Sequence, residues 1–308
     1  MASGWIILDK PTGLGSTQAV AAVKRNLREA GFGKGVKVGH GGTLDPLASG
    51  VLPIALGEGT KLTGRLLDAS KIYTFTVRFG EETDTLDLEG AVIATSEARP
   101  MISEVEAVLP RFTGPIAQVP PAYSALKVDG ERAYDLARAG EAVELASRSV
   151  TIHQLSISAF DPDAEPDVPL ESLTLLANVS KGTYIRSLAR DIAHALGTCG
   201  TVTMLRRTKA GPFDLTQAIS LDKLNEIGKG APLEQVLLPL EAGLDDIPAL
   251  DLDPEQARAV RQGRVLTGLP CDDGLHWARL GNTPVALMDL SGGDARVVRG
   301  FNLSDVAE

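Results

Sequence analysis

Between Gly39 and Gly50 the chain reads Gly-His-Gly-Gly-Thr-Leu-Asp-Pro-Leu-Ala-Ser-Gly. Asp45 stands before Pro46, which biases its backbone toward an extended conformation, and the glycines ahead of it let another chain approach closely. A carboxylate presented on such a loop can act as a nucleophile or a base. The plain alternative is an Asp-Pro turn with a solvated side chain. Arg186 is the second residue of chemical interest. It falls in the first turn of a helix predicted from about Thr183 to Leu196, where the helix dipole disfavours a cation. It also lies off the apolar stripe of Ile185, Leu188, Ile192 and Leu196. A guanidinium there either meets a carboxylate or snorkels over the helix surface. Tyr73 opens an alternating run with Phe75, Val77 and Phe79, so it serves the core or presents its hydroxyl at the loop end of a strand. Leu205 reads as core. Arg206, Arg207 and Lys209 after it are either a solvated run or a phosphate-contact patch.

Other chemistries lack their residues. Gly57-Glu-Gly-Thr-Lys61 and Gly13-Leu-Gly-Ser-Thr17 miss the further glycine of a dinucleotide fingerprint, and no Gly-Lys-Ser/Thr occurs, so no nucleotide cofactor is expected. None of His40, His153, His194 and His276 has an acidic residue two positions on, as a zinc base deaminase would need. Cys199 and Cys271 stand far apart without a CxxC partner, which argues against a disulfide framework and a metal site.

The elements that must position these residues mix strands and helices without a βαβ rhythm, which reads as the α+β class. A strand is predicted over Gly4 to Asp9. A helix follows, capped by Ser16 or Thr17, carrying Val20, Val23 and Leu27 and ending at Gly31. The glycine-dense stretch from Gly31 to Gly64 reads as loop. Leu173 to Val179 forms a central strand. The run from Glu241 to Glu255 carries six acidic residues and no basic one, and reads as a linker. Beyond it, a helix over Pro254 to Gln262 and strands over 277–280, 285–290 and 295–301 make a small β-rich module. With 308 residues, 44% of them hydrophobic and 23% charged, the chain can bury a sizeable core. No apolar run approaches the ~20 residues of a membrane helix, so a soluble cytoplasmic protein is expected. The net charge of −10 taken alone favours a metabolic enzyme on small molecules. It requires any nucleic acid to be met by a local basic surface.

Seven segments, in order, resemble the TruB family of bacterial tRNA pseudouridine synthases: Leu8-Asp-Lys-Pro-Thr-Gly13, Gly39 to Gly50, Lys71-Ile-Tyr73, Thr83-Asp-Thr85, Val119-Pro-Pro-Ala-Tyr-Ser-Ala-Leu-Lys127, Ser180-Lys-Gly-Thr-Tyr-Ile-Arg186 and Leu205-Arg-Arg207. Gly13-Leu-Gly-Ser-Thr17 departs from the family's usual residues at one loop. The resemblance implies a mixed, largely antiparallel central sheet with flanking helices over 1–240, with an RNA-binding insertion at about 119–148. It further implies a small PUA-like β-barrel over 247–308. The implied activity is isomerisation of the T-loop uridine at tRNA position 55, without metal or cofactor, by a monomer that binds the T arm.

By the same resemblance, Asp45 attacks the flipped nucleotide covalently, at the uracil or at ribose C1′, and Arg186 holds it ionised and oriented. Tyr73 stacks on the base and is a candidate for the later proton abstraction, while Leu205 forms the apolar wall. His40 fills space vacated in the T-loop. Tyr184, Lys127, Arg132, Arg206 and Arg207 are further substrate-binding candidates, and Lys10 is another, either structural or close to the RNA. The insertion is expected to be mobile until RNA orders it, against a stably docked helical hairpin. The rival reading is a non-catalytic RNA-binding or chaperone protein. Asp45 discriminates, because a pure binder gains nothing from a carboxylate that faces phosphates.

Overall fold

A computed structural model describes residues 2–32, 35–124, 126–128, 130–139, 145–159 and 168–303, with backbone only at 127, 128, 132, 138 and 159. The first part of the chain forms β1 (Gly4–Lys10), α1 (Ser16–Glu29), β2 (Val38–His40), β3 (Ser49–Leu56), α2 (Thr63–Asp68), β4 (Lys71–Phe79), β5 (Glu81–Thr83) and β6 (Val92–Thr95). There follow α3 (Ile102–Val108), β7 (Gly114–Gln118), β8 (Lys127–Val128), β9 (Glu131–Arg132), α4 (Ala133–Arg138), β10 (Arg148–Ala159), β11 (Ser172–Val179), α5 (Ile185–Ala195) and β12 (Gly200–Ala210). The last part comprises β13 (Phe213–Asp214), α6 (Leu221–Gly228), β14 (Ala249–Asp251), α7 (Pro254–Arg261), β15 (Gly274–Leu280), β16 (Thr283–Ser291) and β17 (Asp294–Gly300). No helix among the described residues is long and apolar enough to cross a membrane.

The chain divides into two compact units, one from 1–44, 51–67 and 211–308, the other from 45–50 and 68–210. In the second, β12 pairs antiparallel with β4, β4 with β11, β11 with β10, and β10 with β7. The start of β3 joins β12 in parallel, Ser49 beside Arg206 and Gly50 beside Arg207. The period-2 pattern of β4 points Phe75, Val77 and Phe79 into a core shared with Leu175, Ala177 and Val179 of β11. Ile185, Leu188 and Ile192 of α5 cover it, as their spacing predicts. Segment 119–148 contains the β8–β9 hairpin and α4. The expectation of mobility there bears partly on residues 125, 129 and 140–144, which lie outside the described residues.

In the first unit β2 pairs with β3, and Trp5 packs its ring 5.2 Å from that of Phe213. The stretch read as glycine loop thus holds a strand whose residues 51–56 are all buried. The apolar run Val51 to Leu56 is the signal that the glycine count hid. The cap of α1 also differs from expectation. Gly15 takes the N-cap position, and the Ser16 hydroxyl instead donates to the Leu44 carbonyl and accepts from the Leu44 N–H, both at 2.8 Å.

The acidic stretch read as a linker is structured. Leu244, Ile247, Leu250 and Leu252 are buried along it, Asp246 pairs with Arg65 at 2.8 Å, and Asp253 caps α7 by accepting from Gln256 N–H at 2.8 Å. The last four strands form a sheet of order β14-β15-β16-β17 over a cluster that includes Ala257, Val260, Met288 and Leu290. Among the described residues this sheet stays open, with β14 and β17 as edges, and no closed barrel is found.

Candidate active site

Asp45 sits on the loop that leads into β3, with its carbonyl accepting from Ala48 N–H at 3.1 Å. The loop is fastened at its far end by Gly50, whose φ is +103° and where a Cβ would fall 2.1 Å from the Arg207 carbonyl oxygen, so no other side chain fits. Arg186, the second residue of α5, is 7% exposed, so the snorkelling reading does not hold. One of its terminal nitrogens, Nη2, lies 3.0 Å from Asp45 Oδ2 and donates to the Tyr123 carbonyl at 3.0 Å. The other, Nη1, donates to the Thr85 carbonyl at 2.8 Å and lies 3.3 Å from Asp87 Oδ2. Burial of the guanidinium is therefore compensated by two carboxylates and two carbonyls.

Asp87 is the partner of Arg186 that sequence reasoning missed. It is buried, and its carboxylate accepts from the Thr85 hydroxyl at 2.6 Å and from Glu89 N–H at 3.0 Å. The turn that presents it runs through Leu86 at φ 64°, a left-handed conformation that costs a residue of this type about 1–3 kcal/mol. The bonds from Leu86 N–H to the Thr83 carbonyl and from Val202 N–H to the Leu86 carbonyl hold that turn in place. The signal lay two residues past the motif: Thr-Asp-Thr continues as Leu86-Asp87, with a second carboxylate in the same short run.

The remaining candidates divide. Tyr184 is the N-cap residue of α5 and is half-buried, with the Arg148 guanidinium 6.0 Å from its ring centre. Burial raises its hydroxyl pKa above the ordinary phenol value, against smaller opposing contributions from a Ser124 hydrogen bond and from Arg148, so it stays protonated. Tyr73 is half-buried at the third position of β4 and packs on the core edge. Leu205 is half-buried opposite Phe75 on β12. Arg206 donates to the Ser49 hydroxyl at 3.3 Å. Arg207 is 1% exposed, which corrects its assignment to a solvated basic stripe, because the strand alternation that leaves Arg206 accessible turns Arg207 inward.

Lys10 and His40 belong to the other unit. Lys10 is fully buried, its ammonium donating to the carbonyls of Pro11 at 3.0 Å and Leu14 at 2.6 Å. Of the structural and RNA-proximal readings, this burial fits the structural one, a brace for the turn after β1. His40 ends β2 and accepts from Gly42 N–H at 3.4 Å. Lys127 and Arg132 face each other across the β8–β9 ladder, and their side chains lie outside the described residues.

The arrangement presents one carboxylate, 42% exposed, at the mouth of a buried guanidinium that a second carboxylate and two carbonyls hold still. It can orient a nucleophile without consuming it. The fold is similar to that of solved structures. The crystal structure of a Cbf5-Nop10-Gar1 complex aligns with a TM-score of 0.71 at 26% identity, covering 97% of this chain and 85% of that one. The structure of an H/ACA RNP bound to a substrate RNA containing 2'-deoxyuridine aligns at 0.72 and 24% identity, covering 98% and 86%, a likeness of fold.

The family model for TruB family pseudouridylate synthase (N terminal domain) matches residues 27–185, and that for tRNA pseudouridylate synthase B C-terminal domain matches 186–245. The chain is 71% identical to tRNA pseudouridine synthase B of Novosphingobium aromaticivorans over 100% of both chains. It is 58% identical to the protein of that name from Zymomonas mobilis, over 97% of this chain and 96% of that one. The chain belongs to the TruB family of pseudouridylate synthases.

Proposed function

We propose that this chain is a tRNA pseudouridine synthase that isomerises uridine 55 of the T-loop, with Asp45 as its nucleophile. The observation that carries the reading is the pairing of a half-exposed Asp45 with an Arg186 that is itself buried and bonded on both terminal nitrogens. The reaction breaks the N1–C1′ glycosidic bond, turns the uracil, and forms the C5–C1′ bond. The hydrogen on C5 leaves as a proton and N1 gains one, so no oxidant, reductant or cofactor enters the balance. Asp45 forms the transient covalent bond, at uracil C6 or at ribose C1′, and leaves as the carboxylate it began as.

The uridine must be extruded from the folded loop at a cost of a few kcal/mol. Tyr73 offers a stacking face and is the candidate for abstraction of the C5 proton, passing its own hydroxyl proton on to solvent. Leu205 supplies the apolar wall. His40 takes the space that the extruded base vacates. Phosphate contacts come from the accessible cations Arg206 and Lys209, with Lys127 and Arg132 from the insertion. Residues 1–240 are assigned the catalysis, and the open sheet and helix over 247–308 a PUA-like contact with the tRNA. The protein acts as a monomer in the cytoplasm.

The test is release of tritium from tRNA labelled at uracil C5, because isomerisation must free that hydrogen. Stoichiometric release from wild-type tRNA, and none from tRNA carrying cytidine at position 55, is the expected result. Tight tRNA binding without release would leave only the RNA-binding reading.

A further inference from the structure

Gln118 ends β7 and is fully buried. Its carboxamide is spent on the backbone of one residue: Tyr184 N–H donates to Oε1 at 2.8 Å, and Nε2 donates to the Tyr184 carbonyl at 3.2 Å. The backbone groups dictate the orientation of the amide, since an N–H can only donate and a carbonyl only accept. The side chain thus imitates one rung of a sheet ladder, made to a residue that belongs to no strand.

Tyr184 needs such a support. It is the N-cap residue of α5 and its own side chain gives the helix no capping bond. Its carbonyl already accepts the first helical bond, from Leu188 N–H at 3.0 Å. Without Gln118 the Tyr184 N–H would lose its hydrogen-bond partner at the point where the chain enters the helix. Two residues on is Arg186, whose contacts to Asp45 at 3.0 Å and the Thr85 carbonyl at 2.8 Å depend on where that first turn begins.

We propose that Gln118 is a positioning residue for this reaction: its two-point bond to Tyr184 sets the start of α5, and thereby both the Tyr184 ring and the Arg186 guanidinium that orients Asp45. The inference rests on the function proposed above. Glutamine is the side chain the geometry asks for. Glutamate has the same shape but only acceptors when ionised, and methionine has a similar length with neither group. The charged groups around position 118 are Arg148, its register partner on β10, and Arg190, which donates to the Val119 carbonyl at 3.2 Å. Both hydrogen bonds of the carboxamide go to Tyr184.

The experiment compares wild type with Gln118→Met and Gln118→Glu by single-turnover tritium release, tRNA affinity, and 19F spectra of 3-fluorotyrosine protein. The chain has four tyrosines, so each resonance can be assigned by a single Tyr→Phe variant. The expected result is a rate lowered about ten- to hundredfold in Gln118→Met, as a misplacement of about 1 Å at a site produces. Affinity should stay within about threefold, and the Tyr184 resonance should shift or broaden while those of Tyr73 and Tyr134 hold. Gln118→Glu, which keeps the shape and loses the donor when ionised, should show the same split once the pH is high enough to ionise it. A rate at wild-type level, an unmoved Tyr184 resonance, or a loss carried by affinity alone would overturn the proposal. So would a failure of both variants to fold, which would make Gln118 a residue of the fold only. A wild-type protein that releases no tritium would instead overturn the proposed function, independently of both variants.

Discussion

Replacing Arg186 by lysine keeps the charge and removes the fork. The guanidinium spans two sets of partners, Asp45 and the Tyr123 carbonyl on Nη2, the Thr85 carbonyl and Asp87 on Nη1. An ammonium is a single point and can serve one set at a time. Hydrogen bonds to a charged group contribute about 1.5–3 kcal/mol each, so abandoning one set costs roughly 3–6 kcal/mol gross, of which rebonding of the freed lysine donors recovers part. The Asp45 contact is discounted because that carboxylate is 42% exposed, so the lysine settles on the buried Thr85 and Asp87 side. The chain then loses about 2 kcal/mol of stability, and Asp45 loses its orientation. Arg186→Lys should lower the single-turnover rate of tritium release at least about a hundredfold, equivalent to about 2.7 kcal/mol of activation free energy. Affinity for tRNA should stay within about threefold, because no phosphate contact is touched. Urea denaturation, filter binding and quenched single turnovers on the same preparation measure the three quantities. A rate within threefold of wild type, with the stability loss present, would refute the reasoning and leave Arg186 as a buried structural cation.

Asp45→Asn should abolish tritium release while tRNA affinity, measured by filter binding, changes by no more than about tenfold, or ~1.4 kcal/mol. Neutralising Arg206 and Lys209 together to glutamine should flatten the dependence of log affinity on log salt by about 1.4–1.8. Arg207→Gln, at a buried position, should lower the urea midpoint and leave that slope unchanged. Burial, reinforced by the neighbouring Arg207 charge, pushes Lys71 from 10.5 down to about 8. Between those two values the unfolded chain binds more protons than the folded one, so stability rises with pH across the window, and below about 8 the full penalty is present. Relative to Lys71→Met, the wild type should therefore gain on the order of 3 kcal/mol between pH 7.5 and 10.5 in urea denaturation.

Local pattern carried the strands and helices whose burial is periodic. Phe75, Val77 and Phe79 alternate, and Ile185, Leu188 and Ile192 recur at helical spacing, so β4 and α5 are readable from the chain. β3 was hidden because glycine density is a local signal for loop while burial on both faces is a property of the assembled sheet. The site was half legible. Asp45 and Arg186 declared themselves by an Asp-Pro step and a cation at a helix start, but Asp87 looks like any acidic turn residue until Arg186 is folded against it. Arg207 reads as a surface cation because sequence shows charge and not direction, and for the same reason Lys10 stays open between a structural and an RNA-proximal role. Gln118 had no signal at all. A lone glutamine at the end of a strand becomes informative only when a helix start 66 residues later is seen bonded to it.

The four supports of Arg186 have a consequence for biosynthesis. Thr85 precedes the arginine by 101 residues and Tyr123 precedes it by 63, and Asp45 is made earlier still. At roughly 5–20 residues per second, Thr85 leaves the ribosome about 5–20 s before the guanidinium that its carbonyl will bind. During that interval Asp45 is an ordinary carboxylate on an unfinished chain. On the function proposed above, a tRNA that meets the nascent protein on a crowded polysome would encounter no oriented nucleophile, and the capacity to modify it would arrive late, when the start of α5 closes on its partners.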